Sequence, residues 1–324
     1  MTSYTLTASV RDTVTGETGT GSAAFTVNAV PAPVPSSGIP NPPLLGIYTT
    51  DEDNTGTYPA AWPNGQTPNI ANTYQAWSQP WPTAFTAAAI AAGVTAFVEL
   101  EPWHMGTNWN QTPSFPDIIS GVYDSWLQGI GSAIAAGSKP EILTFAHEFN
   151  VSGQYPWAYG DTGSNGTSQV SPTMWISAWN HVRQVVNGTA KGLAIWMWVP
   201  NAYTGGSTID PTPYWPGAAN VDMIGVDGYP TTQYGASLGT FNGYFGPTFT
   251  AIRKFSSLPI FLSETNLPQM VSSGGESITD FVRDMFAAGA SGILEFDDAN
   301  WGLASMTAAQ WTEYNTAVAT YGPK

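Results

Sequence analysis

Eight short apolar runs recur between residues 44 and 297, several of them separated by stretches with helical periodicity. They are LLGIY (44–48), PNIANTY (68–74), VTAFVEL (94–100), ILTFAHE (142–148), LAIWMWV (193–199), VDMIGVD (221–227), PIFLSE (259–264) and GILEFD (292–297). The helical stretches fall at about 84–92, 118–136, 173–187, 241–256, 277–288 and 307–320. Strands apolar on both faces that alternate with helices require a parallel sheet covered on both sides. Eight such units predict closure into a (β/α)8 barrel, which takes about 250 residues. An open doubly wound sheet is the alternative, but no Gly-rich phosphate turn follows the first run.

The barrel is expected to occupy residues 44–324. Ahead of it, residues 1–30 read as two strands joined by a turn-rich TVTGETGTG. Two strands cannot bury a core alone, so this segment is expected to be a hairpin left from an immunoglobulin-like module. A leader docked on the barrel is the other reading. PAPVPSSGIPNPP, within residues 31–43, reads as an extended, semi-rigid linker. The chain is thus expected to be a monomeric catalytic piece of a longer multidomain protein.

Composition narrows the partners. Of the 324 residues, 42% are hydrophobic and only 10% charged, with eight Lys and Arg and a net charge of −15. Nucleic-acid binding needs a basic footprint, and anionic membranes repel such a surface; neither is an expected partner. No apolar run approaches the roughly 20 residues of a membrane span. The absence of cysteine excludes disulfides, thiolate zinc sites and cysteine nucleophiles. A neutral polymer such as a polysaccharide remains compatible.

In such a barrel the site lies at the C-terminal strand ends. These carry Glu99, Glu101, Trp103 and His104 on the third run, and His147, Glu148 and Asn150 on the fourth. Trp198 and Asn201 follow on the fifth, Asp227 and Tyr229 on the sixth, and Glu264 and Asn266 on the seventh. The eighth brings Glu295, Asp297, Asp298 and then Trp301. Carboxylates among aromatic faces suit glycoside chemistry: one acid protonates the leaving oxygen, another attacks or directs water, and flat rings contact sugar faces. Glu148 and Glu264 each close an apolar run, where an unpaired carboxylate is costly. On opposed strands they are expected about 5–5.5 Å apart, the separation of a retaining pair. His104 is read as either a subsite contact or a structural loop residue. No local HExxH-type spacing exists, so neither catalytic metal nor cofactor is expected.

These segments resemble glycoside hydrolase family 26, the endo-β-mannanase family of the retaining barrels. FAHEFNVSGQYPWAYGD (145–161) is similar to its acid/base stretch, and YWPGAANVDMIGVDGYP (214–230) to its sixth-strand segment. FLSETN (261–266) is similar to its nucleophile strand, and WMWVPN (196–201) fits its fifth. The resemblance implies Glu148 as acid/base and Glu264 as nucleophile. It implies His147 as a sugar contact, Tyr229 as hydrogen-bonded to the nucleophile, and Trp157 and Trp301 as aromatic walls. Two departures stand out: Thr144 occupies a position where the family usually carries Arg, and no Gly directly follows Asn150. The expected activity is retaining endo-β-1,4-mannan hydrolysis by a secreted enzyme. β-Glucanase or xylanase action, or a non-catalytic carbohydrate-binding or adhesive barrel, are the alternatives.

Overall fold

The computed structural model describes residues 2–11, 18–27, 38–49, 68–103, 113–158, 170–205, 208–297 and 305–323. The chain separates into two compact units, Met1–Ala32 and Pro33–Lys324. In the first, β1 (Thr2–Arg11) and β2 (Thr18–Val27) pair antiparallel, with Thr2 opposite Val27.

The second unit is a closed eight-stranded parallel barrel. Its strands are β3 (Leu44–Thr49), β4 (Ile70–Ala76), β5 (Thr95–Glu101), β6 (Glu141–Phe145), β7 (Ala194–Trp198), β8 (Met223–Asp227), β9 (Ile260–Thr265) and β10 (Ala290–Asp297). They follow in chain order around the barrel, and β10 pairs with β3 to close it. All eight apolar runs are therefore strands. Alternation along each strand produces two apolar layers. Inward residues such as Leu44, Phe97, Ile142, Met197, Phe261 and Leu294 fill the barrel. Outward residues such as Leu143, Trp196, Ile224, Leu262 and Ile293 pack toward the helices.

The helices are α1 (Thr83–Ala92), α2 (Phe115–Ser120), α3 (Asp124–Gly137), α4 (Pro172–Ala190), α5 (Phe241–Tyr244), α6 (Gly246–Ile252), α7 (Leu267–Ser272), α8 (Ile278–Ala287) and α9 (Ala308–Tyr321). Several begin at side-chain caps that satisfy free N–H groups of the first turn. Ser171 accepts from Met174 and Ser277 from Asp280, and Thr307 forms a capping box with Gln310. Two expected helices are split. The stretch at 118–136 breaks at Gly121, whose φ of +91° ends α2 in the left-handed region. The stretch at 241–256 breaks around Pro247, which starts α6 because it has no N–H to continue a helix. Trp175 and Trp179 stack at 5.3 Å on the buried face of α4, as their spacing predicts. Among the described residues, no helix is long and apolar enough to cross a membrane.

Glu141 starts β6, at the barrel end opposite the strand termini discussed below, and is 1% exposed. Burial pushes its pKa up to about 7, partly offset by the Trp81 indole. An acid whose folded pKa is raised contributes its full stability below its unfolded value of about 4.3 and loses it as pH rises through the folded value. Glu141→Gln removes this titration. We expect the variant to gain stability over the wild type as pH rises from about 4 to 8, by roughly 2–3 kcal/mol. Urea unfolding at the two pH values measures it; a difference that does not grow with pH refutes the assignment.

Candidate active site

The C-terminal end of the barrel gathers carboxyl groups on facing strands. Asn72 and Tyr74 project inward from β4, and Glu99 from β5. Thr144 on β6 is the register partner of Glu99. Beyond β6 the chain turns abruptly: Ala146 and Glu148 adopt φ of +52° and +49°. Left-handed backbone in non-glycine residues is strained and clusters at functional sites. It ends the strand at Phe145, earlier than the apolar run does.

Glu148 is 2% exposed. Its Oε1 accepts a short hydrogen bond from Asn201 Nδ2, and its Oε2 accepts from Gln154 Nε2 at 2.9 Å. The Tyr155 hydroxyl also reaches this carboxyl group. Burial, followed by the charge of Glu264, pushes its pKa up to about 8, against the pull of the Asn201 and Tyr155 hydrogen bonds. Asn201 is itself held by its backbone N–H donating to Asn150 Oδ1 at 2.8 Å.

Glu264 sits on β9 in a different setting. Tyr74 donates a short hydrogen bond to its Oε1, and Tyr229 donates to its Oε2 at 2.7 Å. Burial raises its pKa, while hydrogen bonds from Tyr74, Tyr229 and Glu99 favour the charged form. The register of β9 is irregular against both β8 and β10. Such bulges re-aim side chains next to active sites. Here consecutive residues both reach the interior: Ser263 donates to Asp227 Oδ1 at 2.5 Å, and Glu264 meets the tyrosines. Gly225 makes the room, since a Cβ there would lie 2.4 Å from Ser263 Oγ.

The structure brings Glu148, Glu264, His147, Tyr229 and Asn201 into one cluster. His147 is 1% exposed, ringed by Tyr74, Tyr155 and Trp157, and its burial lowers its pKa to about 3, keeping it neutral. Trp103 is half-buried near the mouth and donates to Glu101 at 2.8 Å. Two expectations are corrected. Trp198 does not face the cavity: it is fully buried among Phe149, Trp215 and Phe255 and donates to the Tyr214 carbonyl. Period-two alternation puts Trp196 and Trp198 on one face, and that face is the outer one, with Met197 inside. Trp157 is 1% exposed and is not a free wall: Tyr155 stacks on it at 4.7 Å and its indole donates to the His147 carbonyl. His104 and Trp301 lie outside the described residues.

Sequence reasoning missed Tyr74, Gln154 and Tyr155 as partners of the two carboxylates. Tyr74 lies in the weakest apolar run, where alternation from Ile70 and Asn72 already points it inward. Gln154 and Tyr155 lie inside the 145–161 motif. Glu99, His147 and Glu264 also bring one polar atom each within 4.8 Å of one another, the one such trio of potential metal ligands among the described residues. Both Glu264 oxygens accept from tyrosines and Glu99 Oε1 accepts from Asn72, whereas Glu99 Oε2 and His147 Nδ1 face each other at 3.4 Å without a hydrogen bond.

Solved structures with this architecture include a mannanase of Bacillus subtilis, with a TM-score of 0.57 at 16% identity, covering 83% of each chain. An endo-β-1,4-mannanase of Cellulomonas fimi has a TM-score of 0.59 at 16% identity, covering 88% of this chain and 71% of that one. A family 26 glycoside hydrolase of Muricauda sp. has a TM-score of 0.53 at 14% identity, covering 86% and 90%. The fold is that of the family 26 mannanase structures. No protein-family profile matches the chain, and no curated protein sequence does.

The family 26-like barrel gives a titration prediction independent of turnover. The hydrogen bond from Asn201 favours ionised Glu148, so Asn201→Ala is expected to raise its pKa further. Carboxyl-carbon NMR of selectively labelled glutamate is expected to show one resonance titrating near pH 8 in the wild type and at higher pH in the variant. A resonance that moves down, or none above the ordinary carboxylate range, refutes this environment.

Proposed function

We propose that the barrel is a retaining glycoside hydrolase that cleaves β-1,4-linked mannose polymers internally. The observation that carries this reading is the pairing of two carboxyl groups with opposite environments. Glu264 accepts from two phenols that stabilise its anion, and Glu148 holds its proton up to a pKa of about 8. Pairs of acids whose environments separate their pKa values divide into nucleophile and proton donor.

Glu264 attacks the anomeric carbon while Glu148 donates its proton to the departing glycosidic oxygen. Loss of that proton and neutralisation of Glu264 in the glycosyl-enzyme leave Glu148 ionised and ready to deprotonate the water that releases the sugar. Asn201, Gln154 and Tyr155 orient Glu148 through both steps. Tyr229 and Tyr74 fix the attacking oxygens. His147 would support the floor of the sugar site, and Trp103 and Asn201 would contact the sugar rings. The 145–161 and 214–230 motifs and the likeness to solved mannanases support mannan as the polymer. The low charged fraction of the chain and a polysaccharide substrate favour action outside the cell. Residues 1–30 would be an immunoglobulin-like remnant and residues 31–43 its linker.

Glu264→Ala is expected to lower turnover by several orders of magnitude, with azide restoring formation of an inverted glycosyl azide from an activated substrate. Glu148→Ala is expected to slow poor leaving groups far more than good ones. A panel of mannan, glucomannan, galactomannan, xylan and mixed-linkage glucan, read by product size, fixes the substrate. Full activity in both variants overturns the mechanism; cleavage of xylan or glucan without any mannan replaces the substrate. Binding without cleavage favours the non-catalytic reading.

A further inference from the structure

Among the described residues, Glu264 has no cationic neighbour. The chain has eight basic residues. Those of the described barrel are Lys139, Arg183, Lys191, Arg253, Lys254 and Arg283, and none is on a barrel strand. The groups facing Glu264 and Glu99 from the packed strands are instead acids, phenols and a neutral imidazole. They are Glu101 on β5, Glu148, His147 and Tyr155 after β6, Asp227 and Tyr229 at β8, and Tyr74 on β4. Two carboxylates in contact inside a closed barrel cannot both ionise.

Glu99 is fully buried and brings an oxygen within 4.8 Å of Glu264. Its two oxygens are distinguished by their partners. Oε1 accepts from Asn72 Nδ2 at 2.9 Å, as a carbonyl oxygen does. Oε2 receives no donor and lies 3.4 Å from His147 Nδ1. An oxygen that receives nothing in a buried site is where a hydroxyl proton belongs. Of the acceptors within reach, the carboxylate is stronger than an imidazole nitrogen.

The geometry points to Glu99 as a positioning residue: an un-ionised carboxyl group that donates its proton as a hydrogen bond to Glu264 and stands where a cation would otherwise steady the nucleophile. Burial and the Glu264 charge both hold the Glu99 pKa well above the carboxylate range, in keeping with this. Asn72 is the device that fixes the donor, because its amide occupies the other oxygen. The nucleophile then has three donors, Tyr74, Tyr229 and Glu99, each uncharged. The assignment of a role in catalysis rests on the reading of Glu264 as nucleophile; the shared proton itself does not.

Two variants separate donor from charge. Glu99→Gln keeps an N–H donor in nearly the same volume, and Glu99→Leu removes it. The first readout needs no substrate. The infrared carbonyl band of un-ionised carboxylic acid at pH 7 is expected to lose intensity in Glu99→Gln relative to the wild type; an unchanged band overturns the proposal. The second is the pH profile of kcat/KM. Loss of the donor is expected to move the acid limb up by about one unit in Glu99→Leu, with roughly 10–100-fold lower kcat/KM. Glu99→Gln is expected to hold the limb near the wild-type position and recover most of that loss. An acid limb that moves down in Glu99→Gln shows that Glu99 was ionised, and a limb unmoved in Glu99→Leu shows that its proton goes to His147; either overturns the proposal. Should no polysaccharide be cleaved while the infrared band behaves as expected, the shared proton stands and the hydrolase reading falls.

Discussion

Four of the most buried carboxyl groups, with Glu101 beside them, share the mouth of one barrel, and no described basic side chain neutralises them. Glu99, Glu148, Asp227 and Glu264 are each 6% exposed or less. Desolvation penalises every charge there, and each charge formed penalises the next. The arrangement is tenable only if few of the four ionise together. The hydrogen bonds decide which. Glu264 receives phenolic donors on both oxygens. Glu148 receives amide and phenol donors yet is still pushed to about 8 by burial and by Glu264. Asp227 has one donor, Ser263, and burial raises it well above the carboxylate range. One anion among neutral acids is what a nucleophile and a proton donor require of each other.

That division depends on the barrel being closed. Tyr74 and Glu264 are 190 residues apart in the chain. They meet only because β10 pairs with β3 and so brings β9 around to β4. The site is therefore a product of the topology and has no local precursor. The sharp turn at Ala146–Glu148 and the irregular register of β9 are the two local distortions within it. Each breaks strand regularity at a carboxylate, and each aims that carboxylate at the common centre.

Much of this was legible in the sequence because barrel strands are buried on both faces and appear as apolar runs. A carboxylate that closes such a run, as in ILTFAHE or PIFLSE, is conspicuous for the same reason. What alternation alone cannot tell is which of two equally apolar faces looks inward. Trp196 and Trp198 carry the large aromatic surface expected of a sugar site, yet they lie on the outer face and join the helix layer, and Met197 takes the inside. Trp157 was misread for a related reason: only the fold shows that Tyr155 covers its ring. Tyr74 and Glu99 became partners of Glu264 through strand neighbourhood, which no spacing along the chain encodes. At Gly121 and Pro247 the expected helices split because turn chemistry overrides helical periodicity.

The two layers also explain how the barrel tolerates such a site. Buried acids without counter-ions oppose folding, since even un-ionised they give up hydration that only hydrogen bonds replace. The inner layer is short and ends where the polar cluster begins, at Tyr48 and Phe296, stacked 4.5 Å apart. The outer layer is one large cluster over most of the barrel, carrying Trp77, Trp175, Trp179, Trp196, Trp198 and Phe245, with a smaller one of Ala71, Phe85, Ala89, Val94 and Ala96 under α1. Each large ring removed from water contributes on the order of 2–3 kcal/mol. Stability is thus concentrated between strands and helices, and the interior mouth is left free to hold groups chosen for their protons. The outward-facing tryptophans, of which Trp198 alone was expected as a sugar contact, serve the site indirectly: they stabilise the frame within which Glu148 and Glu264 can remain buried.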